Sequence, residues 1–239
     1  MNTFGASEAV RAIASFDGPN AERDIQRWFR TQAWAKLVPH PFEFDLSFLK
    51  PDGVGTYTGK QSALLPHEVF HTLYTYGPEL FHHLFVGRPG NLLHWWQETY
   101  RTNPEFVDNH PVCKETPADY NVPIGVHGDD TGIFDHDKAL CVSWNSVAVQ
   151  HQTIDNRILF GTLSLTKMVP GLTLHEFYRV FVWSLNALST GKFPYGDHNG
   201  KLFDQNYYPD KAANAGKQLA GGFVGAWSEF RGFPIYCNL

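Results

Sequence analysis

The sequence of 239 residues lacks several features that would assign it to a familiar class. It has only three cysteines, Cys113, Cys141 and Cys237, which are far apart and form no C-x-x-C pair. An odd number of separated cysteines favours a reducing compartment over a disulfide-stabilised scaffold. The N-terminus has no basic start followed by a long apolar run, so we expect no signal peptide and an intracellular location.

Basic charge and long apolar runs are also scarce. The chain has 19 Lys and Arg against 24 Asp and Glu, which gives a formal net charge of -5. Proteins that bind duplex DNA normally carry a basic excess, because much of their affinity comes from neutralising phosphates. DNA is therefore a possible partner only through a local or a missing basic segment. No run of about 18 apolar residues occurs, so we predict no membrane partner.

The residues that are present predict a folded chain with a helical first half. Hydrophobic residues make up 43% and aromatic residues 15% of the sequence, which is enough for a substantial core. We predict a helical N-terminal region over 1–115, with a helix over 20–38 and short helices over 66–101. Proline and glycine are dense over 39–63, which we therefore predict to be loop-rich. The segment 103–121 is predicted to be a linker.

The residue pattern changes from helical to strand-like near residue 115, where we place a domain boundary. Three apolar, β-branched segments follow, "VPIGVH", "ALCVSWNSVAV" and "RILFGTLSLT", and predict three successive strands. Thr173 and Glu176 then match a helix capping box, and Gly191 is placed to end that helix. The fold class is predicted to be α+β, with a β-β-β-α core over 116–239.

The first predicted strand ends in two adjacent carboxylates, Asp129 and Asp130. Three meandering strands and a helix are the opening of an RNase H-like fold, in which an aspartate of the first strand helps to bind Mg²⁺. Carboxylate oxygens suit hard cations, and two such ions can activate the attacking oxygen and stabilise the leaving oxygen of a phosphodiester. Two acids beside glycines also describe an ordinary hairpin turn, and this alternative stays open.

Several motifs together resemble a repeated family of mobile-element-derived proteins from protist genomes, which are themselves similar to DDE-type transposases with an RNase H-like core. The resemblance covers roughly residues 60–232. It rests on the motifs "VPIGVHGDDTGIF", "SWNSV", "RILF", "WSLNALSTGKFP" and "LAGGFVGAWSEFRG".

The resemblance implies a Mg²⁺- or Mn²⁺-dependent DNA phosphodiester-transfer domain in the nucleus. By match to the "HGD" motif, Asp129 would be the first metal ligand, and Asp130 its less direct stand-in. In the look-alike proteins the "WSEFRG" motif continues into an aspartate and a long segment, whereas here Gly232 is followed by only seven residues. The RNase H-like core over 116–239 is therefore expected to be incomplete and truncated, and the copy inactive for want of further carboxylates.

A competing metal motif, H-E-x-x-H, is formed by His67, Glu68 and His71. On a helix the two histidines lie one turn apart and could bind Zn²⁺, with the glutamate as general base of a metallopeptidase or other hydrolase. The third ligand is ambiguous among Glu79, His82, His83, His94 and Glu98. The alternative is an amphipathic helix that packs Val69, Phe70 and Leu73 inward and leaves the histidines at the surface.

A third hypothesis is a non-enzymatic scaffold or binding domain. In that case neither the acidic residues nor the histidines converge in space. Asn145 and Ser146 of the "SWNS" motif are further site candidates, although hydrogen bonding within a turn or a sheet edge explains them as well.

Overall fold

The computed structural model describes residues 31–134, 137–149, 156–206 and 208–227, together with Ser15, Asp24, Arg27 and Trp28. Two compact units divide the chain, Met1–Val38 and Pro39–Leu239. In the first unit the described residues between Asp24 and Thr31 have helical backbone, and Ala33–Leu37 forms a 3-10 helix. Much of the helix predicted over 20–38 lies outside the described residues.

The second unit begins with a β-hairpin where the sequence was predicted to be loop-rich. Strands β1 (Phe42–Leu49) and β2 (Thr56–Ala63) pair antiparallel. Buried and more exposed residues alternate strictly along β1, as expected for a half-buried strand. Pro51, Gly53 and Gly55 lie in the turn between the strands, where Gly53 and Gly55 adopt positive φ angles of 72° and 83°. The loop prediction over 39–63 is therefore wrong, because turn residues masked the alternation.

Short helices follow the hairpin, as predicted. They are α1 (Pro66–Tyr76), α2 (Pro78–Phe81), which continues into a π-helical turn at His82–Val86, and α3 (Asn91–Thr102). Pro66 and Pro78 each stand in a first turn, where a missing N–H costs nothing.

The segment 103–121 was predicted to be a linker, and this is wrong. It contains α4 (Pro104–Asn109), α5 (Pro111–Glu115) and a 3-10 turn at Ala118–Tyr120. Asn103 caps α4, because its side-chain oxygen accepts a hydrogen bond of 3.2 Å from the Phe106 N–H. Asparagine and proline are frequent in loops, but here they mark helix starts.

A four-stranded sheet forms the second half of the unit. Strands β3 (Asn121–Phe134), β4 (Asp137–Ser146) and β5 (Ile158–Ser164) are successive and antiparallel, which confirms the predicted meander. Helix α6 (Thr173–Thr190) follows and ends at Gly191, as predicted. Strand β6 (Val224–Trp227) then lies parallel to β3, so the order is β5-β4-β3-β6. The predicted α+β class is confirmed.

The described residues of the second unit include two apolar clusters. Helix α6 buries Phe177, Phe181 and Leu185, and the Phe181 ring lies 4.5 Å from that of Phe160 on β5. The other cluster joins helices that precede residue 115 to β6 and consists of Trp96, Val112, Val224 and Ala226. The boundary predicted near residue 115 therefore falls inside a single compact unit.

Candidate functional site

Asp129 and Asp130 lie within β3 and not at its end. Asp129 is opposite Cys141 on β4, and Asp130 is opposite Leu140. Both aspartates are exposed, and the Asp130 carboxylate is 3.6 Å from the Lys138 ammonium group. The segment that looked like a strand followed by a turn is one strand of 14 residues, because β4 pairs along nearly its whole length.

The described residues do not fit a two-magnesium centre at Asp129. Strand β6 pairs with β3 only over Asn121–Ile124. Asp129 is five residues farther along, about 16 Å at the rise of an extended strand. Among the described residues, no group of three His, Cys, Asp or Glu side chains is placed to hold a metal ion. The assignment of Asp129 as a metal ligand stays a prediction.

A polar network formed by β3, β4 and the residue before β5 lies beside the predicted site. The His127 Nε2 atom is 2.7 Å from Asn145 Oδ1, and the Arg157 guanidinium is 3.3 Å from His127 Nδ1. The Asn145 amide nitrogen donates to the Ser146 carbonyl at 3.0 Å, which orients its oxygen toward the imidazole. We call His127, Asn145 and Arg157 the sheet network. The imidazole lies between an amide and an exposed guanidinium.

Gly125 makes room for the sheet network. A Cβ atom at this position would lie 2.5 Å from Val147 Cγ1 and 3.2 Å from Asn145 Oδ1, which is too close for any side chain. Sequence reasoning considered Asn145 but missed His127 and Arg157. The available signal was their place in the "HGD" and "RILF" motifs, since one motif precedes β4 and the other follows it.

The H-E-x-x-H motif forms a buried cluster on α1. Val69, Phe70 and Leu73 pack inward as the amphipathic alternative predicted, but His67 is only 1% exposed, so the prediction that both histidines are at the surface is wrong. The His67 Nδ1 atom shares a hydrogen bond of 2.8 Å with the hydroxyl of Ser184 on α6. Burial lowers the pKa of His67 to about 3, and the nearby Lys211 ammonium acts in the same direction.

The other two members of the motif also have protein partners. Glu68, the general base of the zinc hypothesis, forms an ion pair with Lys211 of helix α7 (Pro209–Asn214). The His71 Nδ1 atom accepts a hydrogen bond of 3.2 Å from the Ala220 N–H, and burial lowers the pKa of His71. We call His67, Glu68, Ser184 and Lys211 the α1 cluster. Its contacts join α1 to α6 and α7, as expected for a structural role.

The surroundings of Cys113 do not favour a nucleophilic thiol. The Cys113 thiol accepts a hydrogen bond of 3.5 Å from the Asn121 amide, and burial raises the pKa of this thiol. A raised pKa disfavours the thiolate that a nucleophile requires. Cys141 is partly exposed on β4.

Thr173 and Glu176 do not form the predicted capping box. The Glu176 carboxylate accepts hydrogen bonds from the Ser47 N–H at 2.7 Å and from its hydroxyl at 3.0 Å. The Thr173 hydroxyl donates to the Ser47 carbonyl and accepts from the Val169 N–H. The two side chains thus close part of the edge of β1. Local spacing could not reveal this, because Ser47 is 126 residues before Thr173.

No helix in the described ranges has both the length and the apolar character needed to cross a bilayer. Comparisons of the chain with protein-family models, with curated proteins and with solved structures give no match. The strand order and the side chains that the fold brings together are therefore the observations that bear on function.

Proposed function

We propose that the chain carries an RNase H-like core related to DDE-type transposases and that DNA is its partner. The strand order supports this proposal. An antiparallel meander is followed by α6, and β6 then returns beside β3 and parallel to it. An RNase H-like sheet continues in this way after its first helix. Fold likeness alone does not supply an activity, so the catalytic part of the proposal rests on the site.

We further propose that the domain does not catalyse Mg²⁺-dependent phosphodiester transfer. Two metal ions need several carboxylates to hold them about 4 Å apart. Asp129 is the ligand that the resemblance implies, yet it is exposed and opposite a cysteine, and the described residues form no group of three such ligands around it. What remains is a binding domain, in which any DNA contact depends on local basic groups because the net charge is -5.

Incubation of the chain with supercoiled plasmid tests both parts. We expect no nicking with Mg²⁺ or Mn²⁺, an unchanged result for Asp129→Ala, and a mobility shift of the plasmid at low salt that disappears at physiological salt. A metal-dependent nuclease in the same buffer controls for the metal. Nicking that is lost in Asp129→Ala would overturn the catalytic part. The absence of any mobility shift at low salt would overturn DNA as the partner.

A further inference from the structure

Strand β1 has one edge that β2 does not cover. In an antiparallel pair the backbone groups of alternate residues point toward and away from the partner strand. The N–H and the C=O of Ser47 bond to Glu176 and Thr173 of α6, so they point away from β2. The same alternation directs the backbone groups of Asp45 and Glu43 to this edge.

In the described structure, hydrogen bonds and a β-bridge cover the C-terminal part of this edge, whereas the His198 ring packs against Phe42 and Phe44 near its N-terminal part. Phe48 forms a bridge with Met168, and Glu176 and Thr173 cover Ser47. Beside Glu43 and Asp45 there is instead a cavity of about 350 Å³. We call it the β1 groove. It is bounded by β1, by α6, by a loop and by Thr58 and Lys60 of β2. Its other lining residues include Phe42–Ser47, Glu176, Arg179, Asp197, His198 and Tyr208.

Most charged side chains of the β1 groove are already paired. The Asp45 carboxylate is 2.7 Å from the Lys60 ammonium group. Glu176 is bonded to Ser47, and Asp197 accepts hydrogen bonds of 2.9 Å and 3.0 Å from two backbone N–H groups of its own loop. These carboxylates therefore need no further cation.

Two groups of opposite charge, the Arg179 guanidinium and the Glu43 carboxylate, form no ion pair or hydrogen bond among the described residues. Asp45 raises the pKa of Lys60, however, and the Glu43 charge adds to this effect. The His198 ring also lines the groove, but its Nδ1 atom is buried and has no partner in the described part of the chain. The β1 groove thus offers backbone groups, one cation and one anion.

We propose that the β1 groove binds a short extended peptide as an added strand on β1, with a peptide carboxylate on Arg179 and a basic peptide side chain at Glu43. Backbone donors and acceptors that repeat every second residue match another extended chain. Glu43 and Asp45 are about 7 Å apart along the strand, so three to four peptide residues fill the edge. A guanidinium pairs with a carboxylate through two parallel hydrogen bonds, whether that carboxylate is a C-terminus or an Asp or Glu side chain.

Three N-acetylated tetrapeptides test the proposal against the ¹⁵N-labelled full chain. They are Lys-Val-Thr-Val with a free C-terminus, the same peptide as its C-terminal amide, and Lys-Val-Glu-Val as its C-terminal amide. We expect saturable NMR shifts of the Glu43 and Asp45 amides with the first peptide. The second peptide, whose C-terminal amide carries no charge, should bind about tenfold more weakly, as for the loss of one charge-assisted bond. Binding of the third peptide distinguishes a side-chain carboxylate from a terminal one.

Arg179→Gln should reduce binding of the free-carboxylate peptide about tenfold, while Arg101→Gln, an exposed arginine on α3, should leave it unchanged. N-methylation of the peptide amide that faces β1 should abolish binding. The proposal is overturned if millimolar peptide leaves the Glu43 and Asp45 amides unshifted, if the three peptides bind equally, or if the Arg179→Gln or N-methylated forms bind as well as their parents. None of these outcomes depends on whether the chain binds or nicks DNA.

Discussion

The α1 cluster and the sheet network contain similar polar side chains but differ in their access to water. In the α1 cluster, His67 and Ser184 are buried, and Glu68 and Lys211 keep only 14% and 20% of their side chains exposed. In the sheet network only Asn145 is buried, and Arg157 is exposed. Desolvated polar groups are costly to leave unpaired, whereas solvated ones exchange a protein partner for water. The α1 cluster should therefore govern stability far more than the sheet network does.

Acid should reveal the largest difference between the two regions. The pKa of His67 is about 3 in the folded chain and 6.5 when unfolded, so below pH 6.5 the unfolded state binds a proton that the folded state does not. The contribution of this residue to the free energy of unfolding is complete above pH 6.5 and falls on acidification by an amount on the order of 4 kcal/mol by pH 3. Urea titrations between pH 7 and pH 3 measure the fall.

His67→Gln is the control for that titration. Glutamine keeps a polar group beside Ser184 and does not titrate, so the variant should lose stability more gradually over the same pH range. If the parent and the variant have parallel pH profiles, His67 is not the buried neutral group described above.

The ion pair of the α1 cluster gives the next largest effect. Glu68→Ala leaves the Lys211 ammonium unpaired in a mostly buried position and should lower the free energy of unfolding by about 3 kcal/mol. The Glu68→Met, Lys211→Met double variant should recover most of this loss, because no charge is left behind. Asp45→Ala breaks the exposed Asp45–Lys60 pair and is the matched control, with a melting temperature near that of the parent. Equal effects of Glu68→Ala and Asp45→Ala would contradict the comparison.

The sequence predicted those parts of the fold that local patterns determine. The β3–β4–β5 meander follows from apolar β-branched segments, and α6 from a helical stripe that ends at Gly191. The hairpin β1–β2 was missed because Gly53 and its neighbours, which form only the turn, made the whole segment resemble a loop. The parallel return of β6 beside β3 is a long-range pairing that no local pattern indicates.

The candidate sites were less predictable, because partners far apart in the sequence decide their roles. The spacing of His67 and His71 correctly indicates one helical turn, but Lys211, the partner of Glu68, is 143 residues away from it. Thr173 and Glu176 match a capping box in sequence, yet both bond to Ser47. The Asp129–Asp130 pair looked like the end of a strand because the sequence does not indicate that β4 pairs with β3 beyond this point.

The sheet network should show the smallest effects, and these should be graded by burial within it. Asn145→Ala removes a buried amide that bonds both His127 and the Ser146 carbonyl, and it should cost about 1 to 2 kcal/mol. Arg157→Gln removes only the exposed end and should change stability by less than about 0.5 kcal/mol, because water replaces the guanidinium at His127. Urea denaturation at pH 7 measures both variants. If Arg157→Gln is as costly as Asn145→Ala, the sheet network is as desolvated as the α1 cluster, and water access no longer separates the two regions.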